Sequence, residues 1–219
     1  ADRDDTDGQD VGAAYLFDGS TGELLQTFAH PEPAELDRFG ASATAMGDNV
    51  LVGTFRDNNG KTGAVYLFDG STGQLLQTFY DPNPESDPMP GTHDSFGAWG
   101  NVAVFGDNVL IGAPHDDSAA QEAGAVYLFD SSDGSVIRTF VSPMPNTDGE
   151  FGIDVAALGD YVVIAANNDD TAGEDAGAAY LFDGSNGELL QTFLNPTPDE
   201  GDGFGRQLAF AGDNVLITA

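Results

Sequence analysis

The chain has 219 residues, of which 37 are acidic and only six are lysine or arginine, so its formal net charge at pH 7 is −31. A surface this acidic repels the phosphates of nucleic acids and of anionic membranes, which argues against both as partners. Cysteine is absent, and this excludes disulfides and thiolate-bound zinc or iron–sulfur sites. Hydrophobic residues make up 40% of the chain and recur periodically, which favours a folded protein.

The first 11 residues are rich in aspartate, and the phrase GAAYLFDGSTGELLQTF follows at residues 12–28. Its aromatic and aliphatic residues favour two β-strands, and DGSTG between them is typical of a hairpin turn. The phrase returns with small changes at residues 63–79, 124–140 and 177–193. We name its two strands C and D.

A second motif lies between the copies of this phrase. It begins with Phe-Gly and contains a Gly-Asp turn, as in FGASATAMGDNVLVGTF at residues 39–55, and it recurs at 96–114, 151–167 and 204–219. Its small apolar residues before the turn and its aliphatic run after the turn predict two further strands, A and B. Four antiparallel strands in a repeat of roughly 40–50 residues are typical of a β-propeller blade.

The chain begins inside one repeat and stops inside another. Joined end to start, the two termini resemble the continuous segment at residues 109–128. We therefore predict an all-β fold, a single propeller domain of four four-stranded blades in which strands from both termini complete the last blade. Two alternatives stay open: a fragment of a larger propeller, or half of an eight-bladed ring made by two chains. The predicted blades are residues 204–219 plus 1–28, 39–79, 96–140 and 151–193.

The Phe-Gly pairs, together with Gly112-Ala113-Pro114, resemble the FG-GAP repeats of integrin α-subunit-like β-propellers, in their short bacterial form. The resemblance covers nearly the whole chain and implies a propeller that serves adhesion, scaffolding or, in some members, catalysis. Integrin-type repeats often carry a calcium loop between strands A and B. Here that connection is a short turn such as Gly47-Asp48-Asn49, which cannot wrap a calcium ion. The four pairs are Phe39-Gly40, Phe96-Gly97, Phe151-Gly152 and Phe204-Gly205.

Propeller geometry places the B–C and D–A loops on one face, which we call the acidic loop face. These loops carry 25 of the 37 acidic residues and four basic ones. We expect a negative electrostatic field there that attracts divalent cations or cationic ligands. The alternative interpretation is that these loops hold more charged residues simply because they are longer. The loops are residues 1–11, 29–38, 55–62, 80–95, 114–123, 141–150, 166–176 and 194–203.

The B–C loops supply candidate ligands for Ca²⁺, which is the only cofactor that we expect. The segment DTDGQD at residues 5–10 alternates oxygen ligands and has a glycine for a sharp turn, as a calcium loop does, but it lacks the terminal glutamate. Ordinary solvated turns are the alternative interpretation of all these loops. The candidate ligands are Asp5, Asp7, Asp10, Asp57, Asn59, Asp116, Asp117, Asp169, Asp170 and Asp175.

Strand A is expected to line the central channel, and five residues there differ between the repeats. The repeat that contains the only tryptophan has two additional residues before its turn, which suggests a β-bulge. Asp154 and Arg206 occupy nearly equivalent positions in neighbouring blades and could form an ion pair. Alternatively, these residues simply fill a narrow channel. The candidates are Ser42, Trp99, Asp154, Arg206 and Gln207.

No catalytic constellation is evident, because His30, His93 and His115 lie in different loops without metal-site spacing. We predict a non-enzymatic extracellular binding or adhesion module, secreted or on the cell surface, with a protein or glycan ligand on the acidic loop face. Membrane insertion is not expected, and self-assembly is left open. The alternatives are a structural subunit of a surface layer, filament or larger assembly, and an enzyme acting on polysaccharide.

Overall fold

The structure is a computed structural model that describes residues 2–5, 9–57, 63–84, 95–98 and 100–219. Within these ranges every regular element is a β-strand. No helix occurs in them, so none there is long and apolar enough to cross a membrane. In chain order the strands are β1 (Ala13–Phe17), β2 (Leu24–Ala29), β3 (Phe39–Met46), β4 (Asn49–Thr54), β5 (Ala64–Asp69), β6 (Leu75–Tyr80), β7 (Val102–Phe105), β8 (Asn108–Ala113), β9 (Ala125–Asp130), β10 (Val136–Val141), β11 (Phe151–Leu158), β12 (Tyr161–Ala166), β13 (Ala178–Asp183), β14 (Leu189–Leu194), β15 (Leu208–Ala211) and β16 (Asn214–Ile217).

The strands form antiparallel sheets in the predicted A–B–C–D order. Three sheets have four strands each: β3–β6, β7–β10 and β11–β14. Two further sheets have two strands each, β1–β2 and β15–β16, which are the C–D half and the A–B half of a fourth blade. The all-β propeller fold predicted from the repeats is confirmed, and the fourth blade is present as two separate halves.

The A strands lie at the inside of the propeller. β3 contacts β7, β7 contacts β11, and β11 contacts β15, so the A strands of neighbouring blades converge. The D strands form the opposite edge of each sheet and expose large apolar side chains such as Leu76 and Ile137. The A strands thus form the inner edge of each sheet, and a channel lined by their side chains stays a prediction.

Aromatic side chains from the repeated phrases form the core between blades. In strands β2, β6 and β10 the penultimate phenylalanine packs against the phenylalanine of the next blade's C strand, with ring centroids 5.3 Å apart for Phe28 and Phe68 and 5.4 Å apart for Phe79 and Phe129. The Phe-Gly phenylalanine then meets the same ring edge-on, as Phe96 does with Phe129 at 5.9 Å. Such aromatic pairs contribute about 0.5–1.5 kcal/mol each beyond the area they bury. The repetition in the sequence therefore repeats one interface between blades.

Close backbone packing explains one glycine of strand B. A Cβ atom at Gly112 would lie 2.1 Å from the carbonyl oxygen of Gly152 in the next blade, and one at Gly53 would lie 2.1 Å from the carbonyl oxygen of Gly97. Neither contact is sterically allowed, because real Cβ atoms do not approach backbone oxygen so closely. Gly112 of the Gly-Ala-Pro element therefore allows two neighbouring blades to pack closely.

Candidate functional site

The loops of the acidic loop face are joined to one another by backbone hydrogen bonds. Three D–A loops donate N–H groups to carbonyl oxygens of the preceding B–C loop, which forms a short ladder between neighbouring blades at residues 29–38, 141–150 and 194–203. Buried or bonded backbone of this kind gives the face a defined shape. In one ladder the bonds run from Asp148 N to Gln121 O (2.9 Å), Glu150 N to Glu122 O (3.2 Å) and Phe151 N to Ala123 O (3.0 Å), with equivalents at Arg38–Asp10 (3.0 Å) and Gly203–Asp175 (3.2 Å).

The first aspartate of the B–C loop binds a tyrosine of strand C. The hydroxyl of Tyr127 donates to Asp116 Oδ2 at 2.6 Å, and the hydroxyl of Tyr180 donates to Asp169 Oδ2 at 2.6 Å. Asp116 and Asp169 are buried, and their Oδ1 atoms accept backbone N–H groups at 2.7 and 2.8 Å. Burial, with the nearby carboxylate, raises the pKa of both tyrosines. These carboxylates hold the loop against the blade.

A constant sequence spacing accompanies this pair, although the sequence analysis did not use it. Aspartate and tyrosine are 11 residues apart in both complete pairs, and Tyr15 donates to Asp4 at 2.7 Å over the same separation.

The second aspartate of each loop caps the loop instead, because its Oδ1 accepts the N–H of the fifth residue beyond it. These caps join Asp5 to Asp10 (2.7 Å), Asp117 to Glu122 (2.6 Å) and Asp170 to Asp175 (2.9 Å).

Five candidate calcium ligands therefore use their carboxylates in loop structure, namely Asp5, Asp116, Asp117, Asp169 and Asp170, whereas Asp10 and Asp175 take part through their backbone N–H groups. Within the described ranges, no group of three or more histidine, aspartate or glutamate side chains is arranged to hold a metal ion. Asp7 and Asn59 lie outside the described residues. Calcium binding at this face stays a prediction.

The remaining loop candidate, Asp57, belongs to a buried polar cluster around His30. The Nδ1 atom of His30 accepts the N–H of Glu32 at 3.1 Å, which places the ring hydrogen of the neutral imidazole on Nε2. Nε2 faces the hydroxyl of Tyr66 at 3.0 Å and Asp57 Oδ1 at 3.7 Å, while Nδ1 lies 3.8 Å from Asp37 Oδ2. Burial raises the pKa of Asp37, although a backbone N–H and His30 act in the opposite direction. The cluster adds His30 to the aspartate–tyrosine pair of the other blades, because Tyr66 also interacts with Asp57.

The structure also brings together three residues that the sequence analysis did not connect. Ser95 Oγ lies 3.2 Å from Nδ1 of His115, and Nε2 of His115 lies 3.6 Å from Glu150 Oε1. A serine, a histidine and a carboxylate in this order resemble a hydrolase triad. However, Ser95 is only 1% exposed, so its hydroxyl is closed to a substrate in this structure. The signal in the sequence was weak, since the three residues come from three different loops.

The channel candidates divide into buried and exposed residues. Ser42 is buried and donates to the carbonyl oxygen of Gly97 at 2.6 Å. Asp154 accepts the N–H of Leu208 at 2.6 Å, which links β11 to β15, and burial raises its pKa. The ion pairs of the described residues do not include one between Asp154 and Arg206. Trp99 lies outside the described residues.

Arg206 and Gln207 are exposed, and together with Ile153, Asn167 and Thr218 they line a cleft of about 460 Å³. A second cleft, of about 490 Å³, lies where β11–β14 meets β15–β16, and its walls include Leu181, Leu190, Phe210 and Val215. Both clefts border the two-stranded sheet β15–β16, so their shape depends on what completes that blade.

Comparison with known families decides the identity of the repeats. The family model described as FG-GAP repeat matches residues 27–68, 90–129 and 145–182, which together are more than half of the chain. The chain belongs to the FG-GAP repeat family. The three matches fall on the three complete sheets, so the family assignment and the fold agree.

A search of curated proteins found no match to this FG-GAP repeat protein. Among solved structures, it is similar to the computationally designed Ika8 protein, with 17% identity and a TM-score of 0.56 over 97% of this chain and 51% of the designed chain. It is also similar to BamB from Moraxella catarrhalis, with 18% identity and a TM-score of 0.52 over 94% of this chain and 51% of BamB. Both are propeller-like. The chain thus spans about half the length of these structures.

Proposed function

We propose that this FG-GAP repeat protein is a non-enzymatic binding module whose acidic loop face recognises a positively charged segment of a protein ligand. The observation that carries the proposal is the backbone ladder between the loops, which holds exposed carboxylates on a defined surface. Gly201 N donates to Glu174 O at 3.1 Å, so the loops that bear Glu174, Asp199 and Glu200 adjoin each other, and all three side chains are exposed. A rigid surface of one charge favours fast and specific association with a ligand of the opposite charge.

Two of the four basic residues of this face do little to neutralise it. Arg38 and Arg56 both lie over the ring of Phe55, with guanidinium carbons 5.4 and 5.8 Å from the ring centroid. A guanidinium on an aromatic ring is held by its interaction with that ring and leaves the distant carboxylates without a counter-charge. This supports a cationic ligand more strongly than a neutral one.

A titration with a lysine-rich peptide tests the proposal. We expect binding that weakens as sodium chloride is raised, and a further loss of affinity in the triple variant E174Q/D199N/E200Q, because long-range attraction between exposed charges is screened by salt. The matched control is D48N/D107N/E188Q, which removes three exposed carboxylates from the opposite face. Equal affinity for both triple variants, measured by calorimetry, would contradict recognition on this face. Glycan arrays address the alternative of a carbohydrate ligand.

We include calcium in the proposal as a ligand of the exposed loop carboxylates. Binding to the native state alone stabilises it by about 2.7 kcal/mol when calcium is 100-fold above its dissociation constant. The melting temperature is therefore expected to rise between chelator and saturating calcium. An unchanged melting temperature would remove calcium from the proposal and leave recognition of a cationic protein segment unaffected.

The absence of catalysis is part of the proposal and has its own test. Ser95 is buried against His115, and we therefore expect no turnover of activated esters or of polysaccharides. Turnover that disappears in both Ser95→Ala and His115→Ala would contradict the proposed binding module and indicate a hydrolase. Turnover lost when loop aspartates are changed to asparagine would favour a polysaccharide-active enzyme.

The location outside the cell or on its surface is also proposed, on the resemblance of the repeats to integrin-like propellers, and cell fractionation tests it.

A second candidate function, a structural subunit of a larger assembly, is favoured by a different observation. In the described part of the chain, the outer D strands expose large apolar side chains such as Leu76, Ile137 and Leu190. Electron micrographs that show long particles would support that candidate.

A further inference from the structure

Two arginines of the acidic loop face converge on one phenylalanine from different loops. Arg38 ends a D–A loop and Arg56 lies in the following B–C loop, and their guanidinium carbons lie 5.4 and 5.8 Å from the ring centroid of Phe55. The backbone N–H of Arg56 donates to the carbonyl oxygen of Asp37 at 3.1 Å, so the two loops are joined beside the arginines. Because the ring and the bonded backbone restrict both side chains, less entropy is lost when they bind a ligand.

Neither guanidinium pairs with a carboxylate among the described residues. The ion pairs of this part of the chain all involve a histidine, although the sequence has 37 acidic residues and only six lysines and arginines. The Nε atom of Arg56 is also buried without a hydrogen-bond partner. Arg138 on β10 is the contrast: its Nε likewise lacks a partner, but its Nη2 donates to the carbonyl oxygen of Ser185 at 2.9 Å. The arginines beside Phe55 therefore keep donors that fit an oxyanion.

The repeats show which residues stand at the same two positions in the neighbouring blades. Arg38 corresponds to Ser95 and to Glu150, because each directly precedes a Phe-Gly pair. Arg56 corresponds to His115, because each directly precedes the buried first aspartate of its B–C loop. Ser95 and His115 contact each other, with 3.2 Å between Oγ and Nδ1. The two positions therefore adjoin within one blade.

The carboxylate that His115 meets has no counterpart at the position of Arg56. Nε2 of His115 lies 3.6 Å from Oε1 of Glu150, which belongs to the following blade. One blade earlier, the equivalent residues are Arg56 and Ser95, so a serine stands where the acid would be. The chain thus supplies a carboxylate to one joint between blades and not to the other. A carboxylate from outside the chain would complete the second joint in the same way.

We propose that Arg38, Phe55 and Arg56 form a carboxylate-binding site on the acidic loop face, with Arg56 as the main donor. A planar guanidinium presents N–H groups that match the two oxygens of a carboxylate. The charge of −31 repels anions at long range, so the site acts at short range on a carboxylate that the arginines contact directly. This site does not depend on recognition of a cationic segment by the other loops of the face.

NMR of the arginine Nε–H groups tests the site with acetate, because the chain has only five arginines. We expect the signals of Arg38 and Arg56 to shift saturably as acetate replaces chloride at constant ionic strength, while the signal of Arg138 stays constant. Inorganic phosphate distinguishes the classes of oxyanion: saturable shifts with phosphate and none with acetate would overturn a carboxylate site. Parallel shifts of all five signals with acetate, or no shift at all, would also overturn it.

Residues of the other blades supply substitutions that fit these positions. The variant R38S/R56N introduces the residue types of Ser95 and Asn168 at the equivalent places. We expect its affinity for acetate, measured from the backbone amide signal of Phe55, to fall about tenfold, because the charged donors are lost. Arg138→Gln is the matched control, and equal affinities for the two variants would contradict the site. Glutamine is the native residue at the three positions equivalent to Arg138, which are Gln26, Gln77 and Gln191.

The change Ser95→Glu supplies the missing carboxylate from within the chain. Glu150, the equivalent residue, has the same backbone φ of 54° as Ser95, so this backbone accepts a glutamate. We expect the variant to lose the acetate-dependent shift of Arg56, because the new side chain occupies the site. An unchanged response of Arg56 to acetate, with β-sheet circular dichroism intact, would overturn the proposed correspondence. The titration of the unmodified protein decides the proposal if this variant does not fold.

Discussion

Aspartate has several structural roles in this chain, and the position of each residue decides its role. Asp116 is buried and holds the hydroxyl of Tyr127, whereas Asp117 beside it caps its own loop. In the C–D turn, Asp18 Oδ1 accepts the hydroxyl of Ser20 and two backbone N–H groups. The last role was predictable from DGSTG alone, because all its partners lie within three residues. The role of Asp116 was not, because it requires strand C to bring a tyrosine to the loop.

Removing the tyrosine hydroxyl tests the aspartate–tyrosine pair. The change Tyr127→Phe leaves a buried carboxylate without one of its donors, and we expect the free energy of unfolding to fall by about 1–3 kcal/mol. Tyr161→Phe is the control, since Tyr161 is 49% exposed, and its effect is expected to stay within about 0.5 kcal/mol. Urea unfolding measures both. A loss as small as that of the control would mean that the pair contributes nothing to stability.

The turn aspartates predict a pH dependence. The Ser20 hydroxyl and the backbone N–H groups of Thr21 and Ser20 lower the pKa of Asp18 from 3.8 to about 2. The Ser71 hydroxyl and neighbouring N–H groups lower the pKa of Asp69 equally. Because the folded-state pKa lies below the ordinary value, the turns gain stability that is present above pH 3.8 and is lost as the pH falls through about 2.

Titration of the carboxyl carbon shifts by NMR checks this pH dependence. Ser20→Ala removes the main donor to Asp18 and is expected to raise the pKa of Asp18 while leaving that of Asp69 unchanged, so that one turn is the control for the other. Titration of both aspartates near 3.8 in the unmodified protein would refute the assignment.

At the scale of elements, local sequence patterns predicted the positions of the strands, but they did not predict the distance between neighbouring blades. The alternation around each Gly-Asp turn and each DGSTG hairpin located the strands, because turn chemistry and β-propensity act within a few residues. Two boundaries differ: β7 begins only at Val102, after the two additional residues of its repeat, and β15 begins only at Leu208. The glycine of strand B is explained only by the next blade, whose carbonyl oxygen occupies the place of a side chain.

Adding a methyl group to that glycine tests the contact between blades. A Cβ at Gly112 would lie 2.1 Å from Gly152 O, so Gly112→Ala forces the blades apart. We expect a loss of about 1–3 kcal/mol in the free energy of unfolding, as for other overpacked cores. Gly19→Ala is the control, because no atom lies within 4 Å of the added Cβ. Equal melting temperatures for the two variants would show that the blades can separate without cost.

At the scale of the whole molecule, charge opposes the compact fold. The chain carries a formal charge of −31, so its carboxylates repel one another in the folded state. We expect the melting temperature to rise as sodium chloride rises from about 50 to about 500 mM, because salt screens this repulsion. Thermal unfolding followed by circular dichroism measures the change. A melting temperature that falls with added salt would point to a fold stabilised by ion pairs.

The sequence by itself determined the four repeats, the order of strands in a blade and the turns. The interactions that define them are local, and the sequence pattern that encodes them occurs four times. Only the tertiary structure decided the roles of Asp57, Asp116 and Asp169, because each depends on a tyrosine or histidine brought close by another strand. It also decided that β1 and β16 lie in separate sheets at opposite ends of the row of blades. Strand pairing between distant segments depends on the angle between blades, and no short stretch of sequence specifies that angle.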